Sequence, residues 1–437
     1  MRLLIWGEQL YGGPYDVFRQ LDYNCVYSEL VNNYHANVTN IGNKVWIQGI
    51  ISCLSTEDNQ LFFLNPDETW AQINEKYDAI IYSAANLLSV IYRDILIDIS
   101  KIFKNSKIPV YVISVGAQAD SYSDLDLLIN QIKNETSDFI ETIYSTGGEI
   151  ACRGYFTKMV LDKIAYNTAS VIGCPSLFQN GCNLHIEKKQ EIIHPVFNGL
   201  LLNDKTLFDE YSNSVFIDQD QWLQESYDVS FYNDSYSKIL RKLIEKKGTF
   251  ETELFLANRI RLFYDVPHWR AYLQQEGFNF SCGTRIHGNI ISLLSGVPAL
   301  VLACDSRTQE MAEYYDIPWM RYSKKHLDIS KLFQDTDYSS FNRNFIKKYE
   351  KFEAFLVSHN LVKKMNQNNK FWDKASPIPI NTIERKKHHV AKLYKHINSF
   401  GKVGRKVFYK VTNKYLENID YNYIFTVEQY DKRTYNE

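Results

Sequence analysis

Cys282-Gly283-Thr284-Arg285-Ile286-His287-Gly288, with residues 289–295 and then Gly296-Val297-Pro298 behind it, decides how this chain is read. Before it, Phe278-Asn279-Phe280-Ser281 predicts a short buried strand. After it, Ile290, Ile291, Leu293 and Leu294 predict a helix laid on a sheet. Gly296 suits the position past a helix end, and Pro298 leads into another strand at 299–302. Arg285 and His287 therefore belong to a strand-to-helix turn, where outward backbone N–H groups favour an anion. A guanidinium fixed beside an imidazole at such a turn suits gripping and activating an anionic substrate. A surface arginine next to a histidine bonded to a backbone carbonyl fits the spacing equally well, so the pattern alone leaves both readings open.

Strand and helix signals alternate through the rest of the chain. Residues 79–82, 110–113, 150–152 and 169–172 are apolar strand candidates, and 90–103, 123–145 and 155–164 are helical. Strands interleaved with helices predict a mostly parallel sheet. Residues 178–196 are polar, carry His185, Lys188, Lys189 and Pro195, and predict a linker. A second set follows, with strands at 199–202, 214–217 and 259–264 and helices at 236–246 and 266–277. The expected fold is α/β: two Rossmann-like parallel-sheet domains, 1–185 and 186–365, facing one cleft in the GT-B-like manner. A basic helical extension, 366–437, completes it. Ligands of open parallel sheets bind beyond the strands' carboxyl ends. The turns at 83–86, 114–118, Arg153 and 283–287 all follow strands and are expected to meet there.

Bulk properties narrow the classes. With 437 residues the chain is too long for one ordinary core. A net charge of −2 does not attract a polyanion to the chain as a whole, so nucleic acid is not an expected partner. The seven cysteines form no Cys-x-x-Cys pair, which argues against zinc and disulfide frameworks and for buried, reduced thiols. A reducing cytoplasm fits best. The first residues, Met1 to Trp6, read as a strand rather than a signal peptide. The 31 Tyr and 25 Phe are read as a matter of genome composition rather than of sugar stacking. Between 385 and 415 there are ten Lys or Arg and no Asp or Glu. Val390, Leu393, Ile397 and Phe400 keep helical spacing there, which suits either docking on the inner face of an anionic membrane or a solvated helix packed across the domains.

Gly-Thr-Arg-Ile-His-Gly at 283–288, Gly296-Val297-Pro298, and Cys304-Asp305-Ser306-Arg307-Thr308-Gln309-Glu310 together resemble the C-terminal signature of the polysaccharide pyruvyltransferase family. Ser114-Val115-Gly116-Ala117-Gln118 resembles its mid-domain turn. Cys152-Arg153-Gly154 with Gly173-Cys174-Pro175-Ser176-Leu177 resembles its arginine segment and closure, and Gly42-Asn43 its N-terminal loop. The similarity covers roughly 40–320. Cys174 stands where many relatives carry Asp, so that carboxylate's role has no counterpart here.

The resemblance implies transfer of a pyruvyl group from phosphoenolpyruvate to a sugar of a cell-surface polysaccharide or its lipid-linked precursor, forming a ketal. It implies no cofactor and no metal, with phosphoenolpyruvate as co-substrate. On it, Arg285 grips the donor with a planar fork that lysine lacks. His287 is a further donor ligand and the leading acid/base candidate. Gly283 and Thr284 belong to the same donor-binding turn, and Arg153 is a second clamp or else a salt bridge across the cleft. Asp305 and Arg307 are expected to pair and brace the site. Asn86, Ser114 and Gln118 offer hydrogen bonds to sugar or donor. Trp269 is expected in the core. Two other classes stand beside this one: a nucleotide-sugar-dependent GT-B glycosyltransferase, and a non-catalytic glycan-binding scaffold. The chain has no Gly-x-Gly-x-x-Gly loop or Gly-x-Ser-x-Gly elbow. Its nearest Asp-x-Asp, Asp218-Gln219-Asp220, reads as the cap of a helix at 221–225.

Overall fold

A computed structural model describes residues 1–7, 41–63, 68–165, 169–219, 259–263 and 266–367, with isolated positions between 250 and 257. The helices expected at 221–225 and 236–246 and the basic segment 385–415 lie outside the described residues. Within them, two parallel sheets of six strands carry the fold. The first contains β1 (Arg2–Gly7), β2 (Gln60–Phe63), β3 (Ala79–Ser83), β4 (Val110–Val115), β5 (Ile150–Cys152) and β6 (Ala169–Val171). Its order is β2-β1-β3-β4-β5-β6. The second contains β7 (Pro195–Asn198), β8 (Val215–Asp218), β9 (Ile260–Leu262), β10 (Phe280–Gly283), β11 (Ala299–Ala303) and β12 (Trp319–Arg321), in the order β12-β11-β10-β7-β8-β9. Two such sheets make the α/β, GT-B-like arrangement that the strand pattern predicts.

Every residue of β3 and of β4 is buried, as expected of strands covered on both faces by crossover helices. The helices Arg93–Phe103, Leu125–Ser145 and Tyr155–Ile164 supply those crossovers. In the second sheet the strand order reverses between β7 and β10, so their carboxyl ends, Asn198 and Gly283, flank a topological switch point. The Arg285 turn sits there.

Two sequence expectations need correction. Residues 199–202 are not a strand: the strand is Pro195–Asn198, and Gly199–Asn203 is a 3₁₀ turn. The polar stretch before Pro195 suggested a linker, yet Pro is tolerated as the first residue of a strand. Gly199 then takes φ +68°, which ends the extended run. The strand before the key turn is likewise shifted by two residues, to Phe280–Gly283.

The halves meet along the helix Ser306–Tyr315. The Ser306 N–H donates to the Ala119 carbonyl at 2.9 Å, and the Ala119 N–H donates to Ser306 Oγ at 2.9 Å. At the other end Tyr315 Oη donates to the Cys174 carbonyl at 2.6 Å and accepts from the Cys174 N–H at 2.7 Å. The long helix Ser339–Ser358, not anticipated from the sequence, packs Phe345, Tyr349 and Phe352 around Phe178. Trp269 is 1% exposed and stacks on Phe263, a core residue as expected. No helix among the described residues is long and apolar enough to cross a membrane.

Candidate active site

Arg285 is the N-cap of the helix Ile286–Leu294, in extended conformation, so the turn presents the helix's first N–H groups beyond the end of β10. Its backbone is fixed from behind by a buried amide network. Asn198 Oδ1 accepts from the Arg285 N–H at 2.8 Å, and Asn198 Nδ2 donates to Asn289 Oδ1 at 3.3 Å. Asn289 Nδ2 donates to the carbonyls of Gly283 (2.9 Å) and Arg285 (3.2 Å), while Ser281 Oγ donates to Asn289 Oδ1 at 3.0 Å. Thr284 Oγ1 accepts from the Leu200 N–H at 3.0 Å. Gly283 is required by this packing, since a Cβ there would collide with Asn198 Oδ1.

His287 lies one step into the helix, 8% exposed, and its Nε2 has no hydrogen-bond partner among the described residues. Burial pushes its pKa down to about 3, and the charges of Arg153 and Arg307 push the same way. The imidazole of the free protein is therefore neutral at physiological pH. Arg307 pairs with Asp305 at 3.2 Å, as the sequence suggested. Asp305 also caps its helix, accepting from the Thr308 N–H at 2.7 Å. Arg285 is partly exposed, and its charge reaches the Cys304 thiol.

Arg153 is buried to 1% exposure in the seam between the sheets. Its Nε and Nη2 donate to the Ser114 carbonyl at 3.1 and 2.9 Å, and Nη1 faces Met311 Sδ at 3.7 Å. Ser114 is held at φ +62°, a left-handed conformation that side chains seldom adopt. Its hydroxyl donates to the Gly173 carbonyl. A Cβ on Gly116 would come within 2.7 Å of Arg153 Nε, so this turn is shaped around the guanidinium. Arg153's charge also acts on Cys174, opposing the upward push of burial on its thiol. Asn86 and Gln118 are joined to each other by a 2.5 Å hydrogen bond.

The structure thus gathers Arg285, His287, Gly283, Thr284 and the Asp305–Arg307 pair at the carboxyl end of the second sheet, with Arg153 and Ser114 across the seam. Sequence reasoning missed Asn198, Asn289, Gln219 and Glu310. Asn289 and Glu310 lie inside the quoted motifs, and Gln219 inside the Asp-x-Asp look-alike. Asn198 carries no local signal: it matters only because β7 is placed beside β10.

Among curated proteins none matches this chain. Solved structures similar to it include the Staphylococcus aureus MnaA–UDP co-structure, at 9% identity and a TM-score of 0.39, covering 84% of this chain and 99% of that one. UDP-GlcNAc 2-epimerase from Neisseria meningitidis bound to UDP-GlcNAc is similar at 10% identity and a TM-score of 0.37, covering 83% of this chain and 100% of that one. The sequence model of the polysaccharide pyruvyl transferases matches residues 13–306, a span that holds the Arg153 segment, the Arg285/His287 turn and the Asp305 cap. This chain belongs to the polysaccharide pyruvyl transferase family.

Proposed function

We propose that the chain transfers the pyruvyl group of phosphoenolpyruvate to two hydroxyls of one sugar in a cell-surface polysaccharide or its lipid-linked precursor, giving a cyclic ketal. The observation that carries this reading is Arg285 at the cap of a helix N-terminus, beside a buried His287 flanked by two further arginines. A small donor bearing both phosphate and carboxylate needs such a compact cationic site.

The chemistry divides among the residues as follows. Arg285 holds an anionic group of the donor with its fork. Protonation of the methylene carbon makes the neighbouring carbon electrophilic. The first sugar hydroxyl adds there and gives up its proton, for which the neutral His287 Nε2 is the acceptor at hand. The C–O bond to phosphate breaks and phosphate leaves. The second hydroxyl adds to the same carbon, its proton passes to the released phosphate, and the ketal closes, with the proton held by His287 replacing the one consumed at the methylene carbon. No metal or cofactor is required by these steps. A dianionic donor beside His287 favours the imidazolium, so the histidine that is neutral in the free protein gains proton affinity when donor binds.

Thermal-shift measurement tests the reading, because a ligand of the native state raises the melting temperature. Phosphoenolpyruvate is expected to raise it without added metal, and uridine, guanosine or cytidine diphosphate sugars are not. A saturable shift with a nucleotide sugar and none with phosphoenolpyruvate would move the protein to the glycosyltransferases.

A further inference from the structure

Gln219 follows β8 and is 2% exposed, yet its Nε2 has no hydrogen-bond partner among the described residues. Burying an amide donor unpaired is destabilising, so a retained one calls for an explanation. Its surroundings supply one. A Cβ on Gly288 would lie 2.5 Å from Gln219 Nε2 and 3.1 Å from Asn198 Nδ2, so both amides close on the first turn of the helix Ile286–Leu294. The Gln219 carbonyl in turn accepts from the Ile41 N–H at 3.0 Å, and Ile41 is the N-cap of the helix Gly42–Leu54 from the first half. Gln219 therefore lies between two helix N-termini, each the positive end of its dipole. It adds to that place an N–H donor with no partner among the described residues, and the residue before Gly288 is His287, whose Nε2 is likewise unpartnered among them. Only glycine at 288 leaves room for this approach.

We infer that Gln219 is a binding residue of the active site, donating its amide N–H to an oxyanion of the donor at a subsite between the N-termini of the helices 42–54 and 286–294. This rests on the pyruvyl-transfer reading for the identity of the donor. The oxyanion belongs to the donor's carboxylate or to its phosphate, and Arg285 holds the other group. Because Ile41 comes from the first half, the subsite also ties donor binding to the docking of the two halves.

The full-length chain tests this with two substitutions. Gln219→Met keeps the volume and removes the donor, and Gln219→Glu turns the donor into an anion. Melting temperatures are measured alone and with phosphoenolpyruvate, inorganic phosphate and oxalate. The apo Gln219→Met variant is expected to melt at or above the wild type, since it deletes an unpaired buried amide. A residue kept for packing alone would instead lower the melting temperature. The phosphoenolpyruvate concentration for half-maximal shift is expected to rise roughly 10- to 100-fold in Gln219→Met, the range of one hydrogen bond to a charged group. It should rise further in Gln219→Glu. Loss of the oxalate shift assigns the carboxylate to Gln219, and loss of the phosphate shift assigns the phosphate. Unchanged responses to all three anions in both variants, or no response to any of them in the wild type, overturn the inference. Should the wild type respond to oxalate or phosphate but not to phosphoenolpyruvate, the donor assignment fails. Gln219 is then still judged by whether its variants lose those shifts.

Discussion

Glu310 of the second half caps a helix of the first: its carboxylate accepts from the Thr157 N–H at 2.9 Å and from Thr157 Oγ1 at 2.7 Å. Thr157 stands in the opening turn of the helix Tyr155–Ile164, where backbone N–H groups have no intrahelical acceptor. The same hydroxyl accepts from the Ala117 N–H at 2.8 Å. Gly154 admits the carboxylate, since a Cβ there would lie 2.7 Å from Glu310 Oε2. The seam thus depends on a buried acid, next to Arg153, rather than on apolar packing alone.

Burial pushes the Glu310 pKa up to about 7, from an ordinary 4.5, against the opposing pull of the Thr157 bonds and the Arg153 charge. A folded-state pKa above the unfolded one stabilises most below the unfolded value and loses that contribution as pH rises through the folded value. The wild-type melting temperature is therefore expected to fall, relative to Glu310→Gln, as pH rises from 5 to 8. Parallel melting curves for the two proteins over that range would show that Glu310 does not titrate in the seam.

Arg285→Lys keeps the charge and discards the fork. The Arg285 backbone is held by Asn198 and Asn289, so the turn should keep its shape in the variant. Turnover is expected to drop at least ~10-fold, the value of one charge-assisted hydrogen bond. Turnover and melting temperature measured together decide it, and near-normal turnover would remove Arg285 from the donor site.

The parts of this fold legible in the sequence are those with local causes. The apolar runs of β3, β4 and β5 and the helices between them stand out because continuous burial leaves no polar alternation. The Arg285 turn is legible because a strand, a glycine, a helix and a second glycine follow one another within a few residues. What escaped has causes distant in sequence. Asn198 acts on a turn 87 residues away, and Glu310 caps a helix 153 residues before it. The strand at Pro195 was hidden by the polar residues before it. Arg153 reads in the sequence as a clamp or a salt bridge; that its guanidinium also donates to the carbonyl of the strained Ser114 is a backbone detail that no side-chain pattern encodes.

Asn198→Ala tests whether the amide network, rather than the turn's own sequence, shapes the site. The substitution strips the acceptor from the Arg285 N–H and a donor from Asn289. Leaving such groups unpaired costs roughly 1–3 kcal/mol, so a measurable fall in denaturant midpoint is expected. Affinity for phosphoenolpyruvate should fall with it, because Arg285 loses its fixed backbone. Asn198→Asp, which keeps the acceptor, should retain more affinity than Asn198→Ala. Equal affinity in both variants and the wild type would mean that the turn holds its shape alone.

His287 offers the last prediction. A histidine near its ordinary pKa would give the free enzyme's pH–rate profile a limb between pH 6 and 7. Here burial and two arginines hold the pKa at about 3, so kcat/KM should show no limb assignable to His287 between pH 5 and 8. His287→Gln is expected to slow the chemical step by roughly 10²–10⁴-fold at saturating donor, since glutamine accepts a hydrogen bond but not a proton. Arg307→Gln removes one of the charges that depress the imidazole and leaves the other, so His287 should titrate higher in that variant. Single-turnover rates at saturating phosphoenolpyruvate separate the step from binding, and histidine NMR titration follows the pKa directly. An unchanged rate in His287→Gln would end the acid/base role. A wild-type titration near 6.5 would mean that the imidazole is solvated rather than buried between the arginines.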